Sequence, residues 1–526
     1  MDAYDYIIVG AGSAGCVIAN RLTEQLATSV LLLEAGGPDD RPEIHIPGAT
    51  FSLQQTDIDW AYHTEPQAQL NGRSIFWPRG KVLGGTSSIN AMIYIRGHRG
   101  CYDEWQAAGN HGWSYAEVLP YFQKSEHQER GADAFHATGG PLNVADQRDP
   151  HPLSCVLVEA AQELGIWRNP DFNGEKMSGF GLYQVTQKNG ERWSAARAFL
   201  QPALKRPNLQ AFTHAQVTRL LFNGRRATGV TYLKDGQSHQ AWCRQGVVLC
   251  GGAINSPQLL LLSGIGPAAQ LQEMGIPVIV DLPGVGQNLQ DHLDVAVRYR
   301  CKEPGRQTAV DAEAAYRDQR KGPWSSNLVE AGGFMRTRAD LPVPDLQFHF
   351  APQRPVGFAA TVPDEPLFSF FPALLQPQSR GHITLRSPDP LAAPAIQPNY
   401  LAHEADLAVL VAGVKLARRL AQTRAFAPFV DHPVQPEPEI KHDAEIGDYI
   451  REQADTIYHP AGTCKMGIDR LAVVNPQLQV HGVSGLWVAD ASIMPTIVNG
   501  NTNAPVIMIG EKAADLIKAT APADPT

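Results

Sequence analysis

The sequence predicts an α/β chain of two domains: the first a discontinuous, Rossmann-like parallel sheet, the second of α+β type on a mostly antiparallel sheet with helices. Three observations carry this. The apolar run Tyr6 to Val9 leads into Gly10, Gly12 and Gly15 and then a helical stretch from Cys16 to Leu26. A second apolar run, Ser29 to Leu33, ends on Glu34. Similar runs recur far downstream, Gln245 to Cys250 entering Gly251 and Gly252, and Gly485 to Ala489 entering Asp490.

The N-terminal unit is a complete dinucleotide site in outline. Gly10 permits the tight turn, Gly12 lets backbone approach a pyrophosphate, and Gly15 allows close packing of helix on strand. Ser13 and Ala14 fall at the helix N-terminus, where free N–H groups and the dipole favour phosphate. Glu34, with Ala35 after it, can accept hydrogen bonds from both ribose hydroxyls and would repel a 2′-phosphate, which disfavours NADP.

Downstream, Ser256 to Leu262 reads as a helix behind the second strand-glycine junction, and Ala504 to Ala519 as a closing helix. The stretches between Val297 and Phe350 and between Leu367 and Leu385 contain strand-like LQFHF and HITL, broken by proline-rich APQRP and SPDP. The cofactor domain is therefore expected over 1–155, 205–297 and 458–526, and the substrate domain over 156–204 and 298–457. The small polar tail APADPT is expected to fray.

Composition removes several classes. A net charge of −9, with 44 Lys and Arg spread along 526 residues, offers no basic tract for nucleic acid. No uncharged apolar run approaches the roughly eighteen residues of a membrane span, and Asp2 and Asp5 argue against a signal peptide, so a cytoplasmic location is expected. The seven cysteines are scattered and contain no C-x-x-C, so neither a disulfide framework nor a metal site is expected.

A second glycine-rich stretch, Trp77 to Asn90 (WPRGKVLGGTSSIN), is too elaborate for a nicotinamide dinucleotide already held at Gly10 to Gly15. Together with GGAINSPQLLLLSGIGP (251–267), GVGQNLQDHL (284–293), YHPAGTCKMG (458–467) and DASIMPTIVNGNTNAPVIMIGEKAADLI (490–517), it resembles the glucose-methanol-choline (GMC) oxidoreductases, flavoenzymes that oxidise alcohols. The resemblance implies FAD, with Gly10, Gly12, Gly15 and Glu34 at the ADP half and Val217 offering its backbone to the adenine. It also implies Val82, Gly84, Gly85, Asn90 and Ala91 along the flavin, and Asp490, Ala491, Asn501 and Thr502 at the ribityl and pyrimidine end. Some members bond FAD covalently through a His in the segment that here reads SSIN. Ile89 stands there, so non-covalent FAD is expected.

Alcohol oxidation needs a group to take the hydroxyl proton, and a His titrates in the required range. Composition cannot choose among 17 His residues. The resemblance singles out His459 as base and Asn503 as its partner, which lacks an accessible pKa and can only orient the alcohol oxygen. As a plain structural residue, Asn503 would cap the helix that begins at Ala504-Pro505. Tyr458 reads equally as a pocket wall or core packing, His292 reads as structural, and His98 and His349 receive no role.

The implied function is oxidation of a primary alcohol to its aldehyde, with electrons passing to a quinone or another non-oxygen acceptor. Alternatives are an oxidase using O2, a choline or polyethylene glycol dehydrogenase, and a lyase or photodecarboxylase on the same fold. Choline would call for an aromatic cage with a carboxylate, to which Trp324, Glu330 and Phe334 are candidate contributors. The segments most similar to membrane-associated members add peripheral attachment to the inner face of the membrane as an alternative location. Oligomeric state is not legible.

Overall fold

In the computed structural model, residues 3–302, 309–353 and 366–520 are described. The polar tail and the end of the APQRP loop lie outside them.

Strand β1 (Ala3–Val9), helix α1 (Ser13–Leu22) and strand β2 (Val30–Leu33) form the expected unit, with β2 parallel to β1 in the register Tyr6 to Val30 through Val9 to Leu33. Tyr6, Ile7, Ile8 and all of β2 are buried, as continuous apolar runs require in a parallel sheet covered on two faces. The helix starts earlier and stops earlier than Cys16 to Leu26. Its first turn takes in Ser13 to Gly15 directly after the glycine turn, and Thr23 closes it with a hydroxyl bond to the carbonyl of Ala19.

The sheet has seven strands, drawn from N-terminal, central and C-terminal parts of the chain. Leu209–Phe212 pairs with β2, and Gln237–Leu249 pairs with β1, both in parallel. This last strand is far longer than the Gln245 to Cys250 run suggests. Its first half closes an antiparallel meander with Arg226–Lys234 and Gln216–Asn223, while its buried end, Val247 to Leu249, pairs in parallel with Leu486–Val488. The exposed, polar first half does not read as sheet in an apolar scan because it packs no core.

The second sheet has eight strands and is antiparallel throughout. Its main path runs from Val430–Gln435 through Val297–Cys301, Leu367–Leu374, Leu346–Ala351 and Ala331–Met335 to Gly179–Leu182. Helix Glu404–Ala421 lies against it, burying Leu410, Val414, Ala417 and Leu420 in one core with Phe348, Phe368 and Phe370. Two short strands, Leu293–Asp294 and Asp455–Thr456, pair with each other at the sheet's margin, Leu293 opposite Thr456. That pairing brings the segments of His292 and His459 together.

Among the described residues, no helix is long and apolar enough to cross a membrane.

Candidate active site

A cavity of about 930 Å3 is lined by segments of both sheets. Its nucleotide-facing wall is mostly backbone. Gly10 has φ +99 and passes so close to the strand Gln237–Leu249 that a Cβ would sit 2.5 Å from the carbonyl oxygen of Cys250. Gly15 approaches the turn still more closely, its Cβ falling 1.9 Å from the oxygen of Gly10. Gly12 differs, since its nearest protein atom would be 3.8 Å away, so bulk there would enter the cavity and not the protein. Gly85 meets Gly12 back to back, its Cβ position 2.8 Å from the Gly12 Cα. The two glycine loops thus converge on one space.

Glu34 closes the ADP end. Its carboxylate accepts from the N–H of Ala11 at 2.8 Å and of Gly36 at 2.9 Å, one bond to each oxygen, which leaves acceptor capacity for a ligand's hydroxyls. Burial pushes its pKa up to about 7 against the opposing pull of those two N–H groups. Asp490 is tied more completely. It accepts from Gly252 N–H, from the Ser256 hydroxyl and from Ser492 N–H, clamping the central and C-terminal strand ends together.

The catalytic end is made of side chains. His292 Nε2 lies 3.1 Å from the carbonyl oxygen of Leu375, which can only accept, so Nε2 carries the hydrogen and Nδ1 is left as an acceptor. His459 Nδ1 lies 3.0 Å from that Nδ1 and must donate to it. The tautomer of His459 follows from this chain of two bonds: Nε2 is unprotonated. The Asn501 amide nitrogen stands 3.3 Å from this Nε2, and Asn501 is itself oriented by Gln347, whose Nε2 donates to its Oδ1 at 3.1 Å. Gln347 and His349 alternate along the strand Leu346–Ala351 and so share a face. His349 lines the cavity with a buried Nε2 that has no partner among the described residues. Burial pushes His292 down to about 3 and His349 to about 4, and holds His459 well below its usual value with help from His292, His349 and Arg79. All three rings are neutral at pH 7.

The expected site residues divide into those that meet at the cavity and those that do not. Gly10, Gly12, Ser13, Ala14, Glu34, Ala35, Gly85, Asn90, Ala91, Val217, Tyr458, His459, Asp490, Ala491, Asn501, Thr502 and Asn503 line it. Gly15 acts from behind, as described. Val82 is buried in a small cluster with Ile44, Leu53, Ile58 and Ile89. Gly84 also lies behind the wall, its N–H bonded to the Ala11 carbonyl at 2.8 Å.

The asparagine whose amide reaches His459 Nε2 is Asn501, while the expected partner Asn503 lines the same cavity two residues on. Asn503 begins the closing helix Asn503–Thr520, and its Oδ1 accepts from the Ser13 hydroxyl at 2.7 Å, locking that helix to α1. One expectation is corrected: the aromatic cage fails. Phe334 is wholly buried against Phe172 and Tyr183, and Glu330 accepts from Ser154, Ser326 and the His151 N–H as a structural anchor. Trp324 packs on Tyr316 and does not line the cavity. Sequence reading took His292 as structural and gave His349 no role. The first lay in GVGQNLQDHL and was signalled by that motif, whereas His349 sits in an ordinary alternating strand that carries no mark of a site.

Comparison with known proteins places the chain in a family. The chain matches the two GMC oxidoreductase family models, N-terminal over residues 4–294 and C-terminal over 377–510. It is 46% identical to the mitochondrial choline dehydrogenase of Homo sapiens, covering 98% of this chain and 90% of the relative. It is 45% identical to an alcohol dehydrogenase [acceptor] of Pseudomonas putida, covering 98% and 95%. Among solved structures, pyridoxine 4-oxidase from Mesorbium loti superposes with a TM-score of 0.92 at 32% identity, covering 99% of this chain and all of that one.

Proposed function

Because the chain belongs to the GMC oxidoreductase family, we propose that it is an FAD-dependent alcohol dehydrogenase in which His459 takes the hydroxyl proton of the substrate. The observation that carries this reading is the fixed tautomer: His292 orders the proton onto His459 Nδ1, leaving Nε2 as a neutral acceptor facing the cavity. The backbone at Gly12 and Gly85 and the Glu34 carboxylate would hold FAD, which would supply the hydride acceptor. The O–H proton passes to His459 Nε2 while the hydride leaves the adjacent carbon, and the alcohol becomes a carbonyl. Asn501 holds the alcohol oxygen at this nitrogen, and Gln347 keeps its amide from flipping. Ile89 offers no nucleophilic atom, so the cofactor is bound without a covalent link. The first sheet and its helices form the cofactor domain and the second sheet the substrate domain.

The electron acceptor is read as a quinone or another non-oxygen oxidant, supported by the likeness to the alcohol dehydrogenase [acceptor]. The likeness to an oxidase keeps O2 as the rival, and reoxidation of the reduced enzyme in air on the stopped-flow timescale separates the two.

A specific observation favours a cationic alcohol such as choline over a plain aliphatic one. Asp294 and Asp455 are paired across adjacent strands and both line the cavity. Asp294 is buried, accepts no hydrogen bond among the described residues, and is held well above the usual carboxylate range by burial and by Asp455. Trp60, Phe76, Phe371 and Tyr458 supply aromatic faces in the same cavity. A quaternary ammonium would relieve that carboxylate pair. Anaerobic bleaching of the flavin by a panel of choline, aliphatic, benzylic and glycol alcohols tests the reading. No bleaching by any of them would overturn alcohol oxidation, and equal efficiency with choline and a neutral alcohol of the same size would overturn the cationic preference.

A further inference from the structure

The peptide that presents His459 is held in an unfavourable conformation. Tyr458, a non-glycine aromatic, has φ +70. Such strain persists only where neighbours over-determine it. Here Tyr458 N–H donates to Thr456 Oγ1 at 2.8 Å, His459 N–H donates to Asp291 Oδ1 at 2.8 Å, and the Tyr458 carbonyl accepts from Arg79 Nη2 at 2.5 Å.

Arg79 is an unusual clamp for this purpose. It lines the cavity, and among the described residues its guanidinium is bonded only to backbone carbonyls, those of Pro78 and Tyr458. No carboxylate lies within ion-pair distance of it among the described residues. Its nearest acids are already engaged: Asp59 by the N–H groups of Gln55, Ala61 and Arg79 itself, and Asp291 by Tyr400, Thr456 and the His459 N–H. A neutral donor would serve the Tyr458 carbonyl equally well. An enclosed cation without a direct counter-ion is costly, and its charge is felt by whatever titrates nearby.

We propose that Arg79 is a positioning residue for His459, pinning the left-handed Tyr458 peptide that aims the ring and supplying a positive charge, not directly paired with a carboxylate, that adds to burial in keeping the ring deprotonated. The inference rests on the reading of His459 as the base. The groups facing that ring are His292 from the segment before strand Leu293–Asp294, His349 from strand Leu346–Ala351, Asn501 from the loop before the closing helix, Asp291 at its backbone, and Arg79. Of these, Arg79 is the cation. When Nε2 takes the substrate proton, the same charge favours its onward release.

The test compares Arg79→Gln and Arg79→Lys holoenzymes with the parent. Loss of the cation raises the affinity of His459 for a proton, so in Arg79→Gln the acid limb of anaerobic flavin reduction should move to higher pH by at least about half a unit. The limiting rate should fall by about tenfold or more while KM changes less than about threefold. Arg79→Lys should return the limb to its original pH with only partial recovery of rate, because a point charge cannot reproduce the planar donor at the Tyr458 carbonyl. Binding of 2,2,2-trifluoroethanol, followed by perturbation of the flavin spectrum, gives the same limb without turnover, so a failure of the alcohol-oxidation reading would leave this measurement intact. A limb unmoved in Arg79→Gln overturns the proposal. So does a limb displaced equally in Arg79→Lys, which would assign the effect to distortion and not to charge.

Discussion

The two ends of the cavity are built in opposite ways. The ADP end comes from one short stretch, Gly10 to Ala35, and works through backbone: an absent Cβ at Gly12, a positive φ at Gly10, N–H groups at the start of α1. The opposite end takes side chains from four separated segments, His292, Gln347 with His349, His459 and Asn501, and hydrogen bonds link His292 to His459, His459 to Asn501 and Asn501 to Gln347. A backbone site tolerates change at its surroundings but not within its glycines. A relay of side chains degrades step by step.

The largest effect should come from the backbone end. Gly15→Ala drives a methyl to within 1.9 Å of the Gly10 oxygen, with the Cys250 side chain at 3.3 Å, and should yield no folded protein on expression and gel filtration. The Cβ of Gly12→Val meets nothing nearer than 3.8 Å within the chain, so the variant should fold, keeping its circular dichroism, yet purify without FAD. A Gly12→Val variant carrying full flavin would mean that the phosphates lie elsewhere.

At the catalytic end, His459→Ala should retain FAD but be reduced by alcohol at least about a hundredfold more slowly, with partial recovery at high pH as hydroxide replaces the base. Near-normal reduction across neutral pH would remove His459 from the mechanism. Asn501→Ala should follow with a loss of about thirtyfold and no recovery at high pH, while Asn503→Ala, which cuts only the link to Ser13, should stay within about threefold in rate. The reverse order would restore Asn503 as the partner.

The smallest effect is on stability. His349 is buried with its pKa pushed down to about 4, below the unfolded value of about 6.5, so the unfolded chain binds more protons between these values and stability falls as pH is lowered through that window. The contribution is up to about 1.4 kcal/mol per pH unit. His349→Gln should lose correspondingly less stability than the parent between pH 6.5 and 5.5 in urea titrations.

Much of the fold was legible because local physics suffices for it. The glycine turn, the apolar parallel strands and the antiparallel character of the second sheet all follow from side-chain period and backbone freedom. The meander ending in Gln237–Leu249 was not, since its polar first half is held by strand pairing and not by burial. The choice between Asn501 and Asn503 shows the limit most clearly. Two residues apart in NTN, they differ only in where the chain enters the closing helix: Asn503 is its first residue and turns to Ser13 on α1, while Asn501 lies before it and faces His459.

By itself, the sequence determined a dinucleotide-type turn at the N-terminus, because a contiguous run of glycines, strand and acid creates that geometry wherever it folds, and its family motifs pointed to FAD. It also marked His459, through a motif whose neighbours are close in the chain. Only the tertiary structure decided the proton order across His292 and His459, the placement of Asn501, Gln347 and His349, and the binding of the Arg79 guanidinium to the Tyr458 carbonyl. Those depend on distances between residues remote in sequence, and a hydrogen bond is decided over tenths of an ångström that no local pattern encodes.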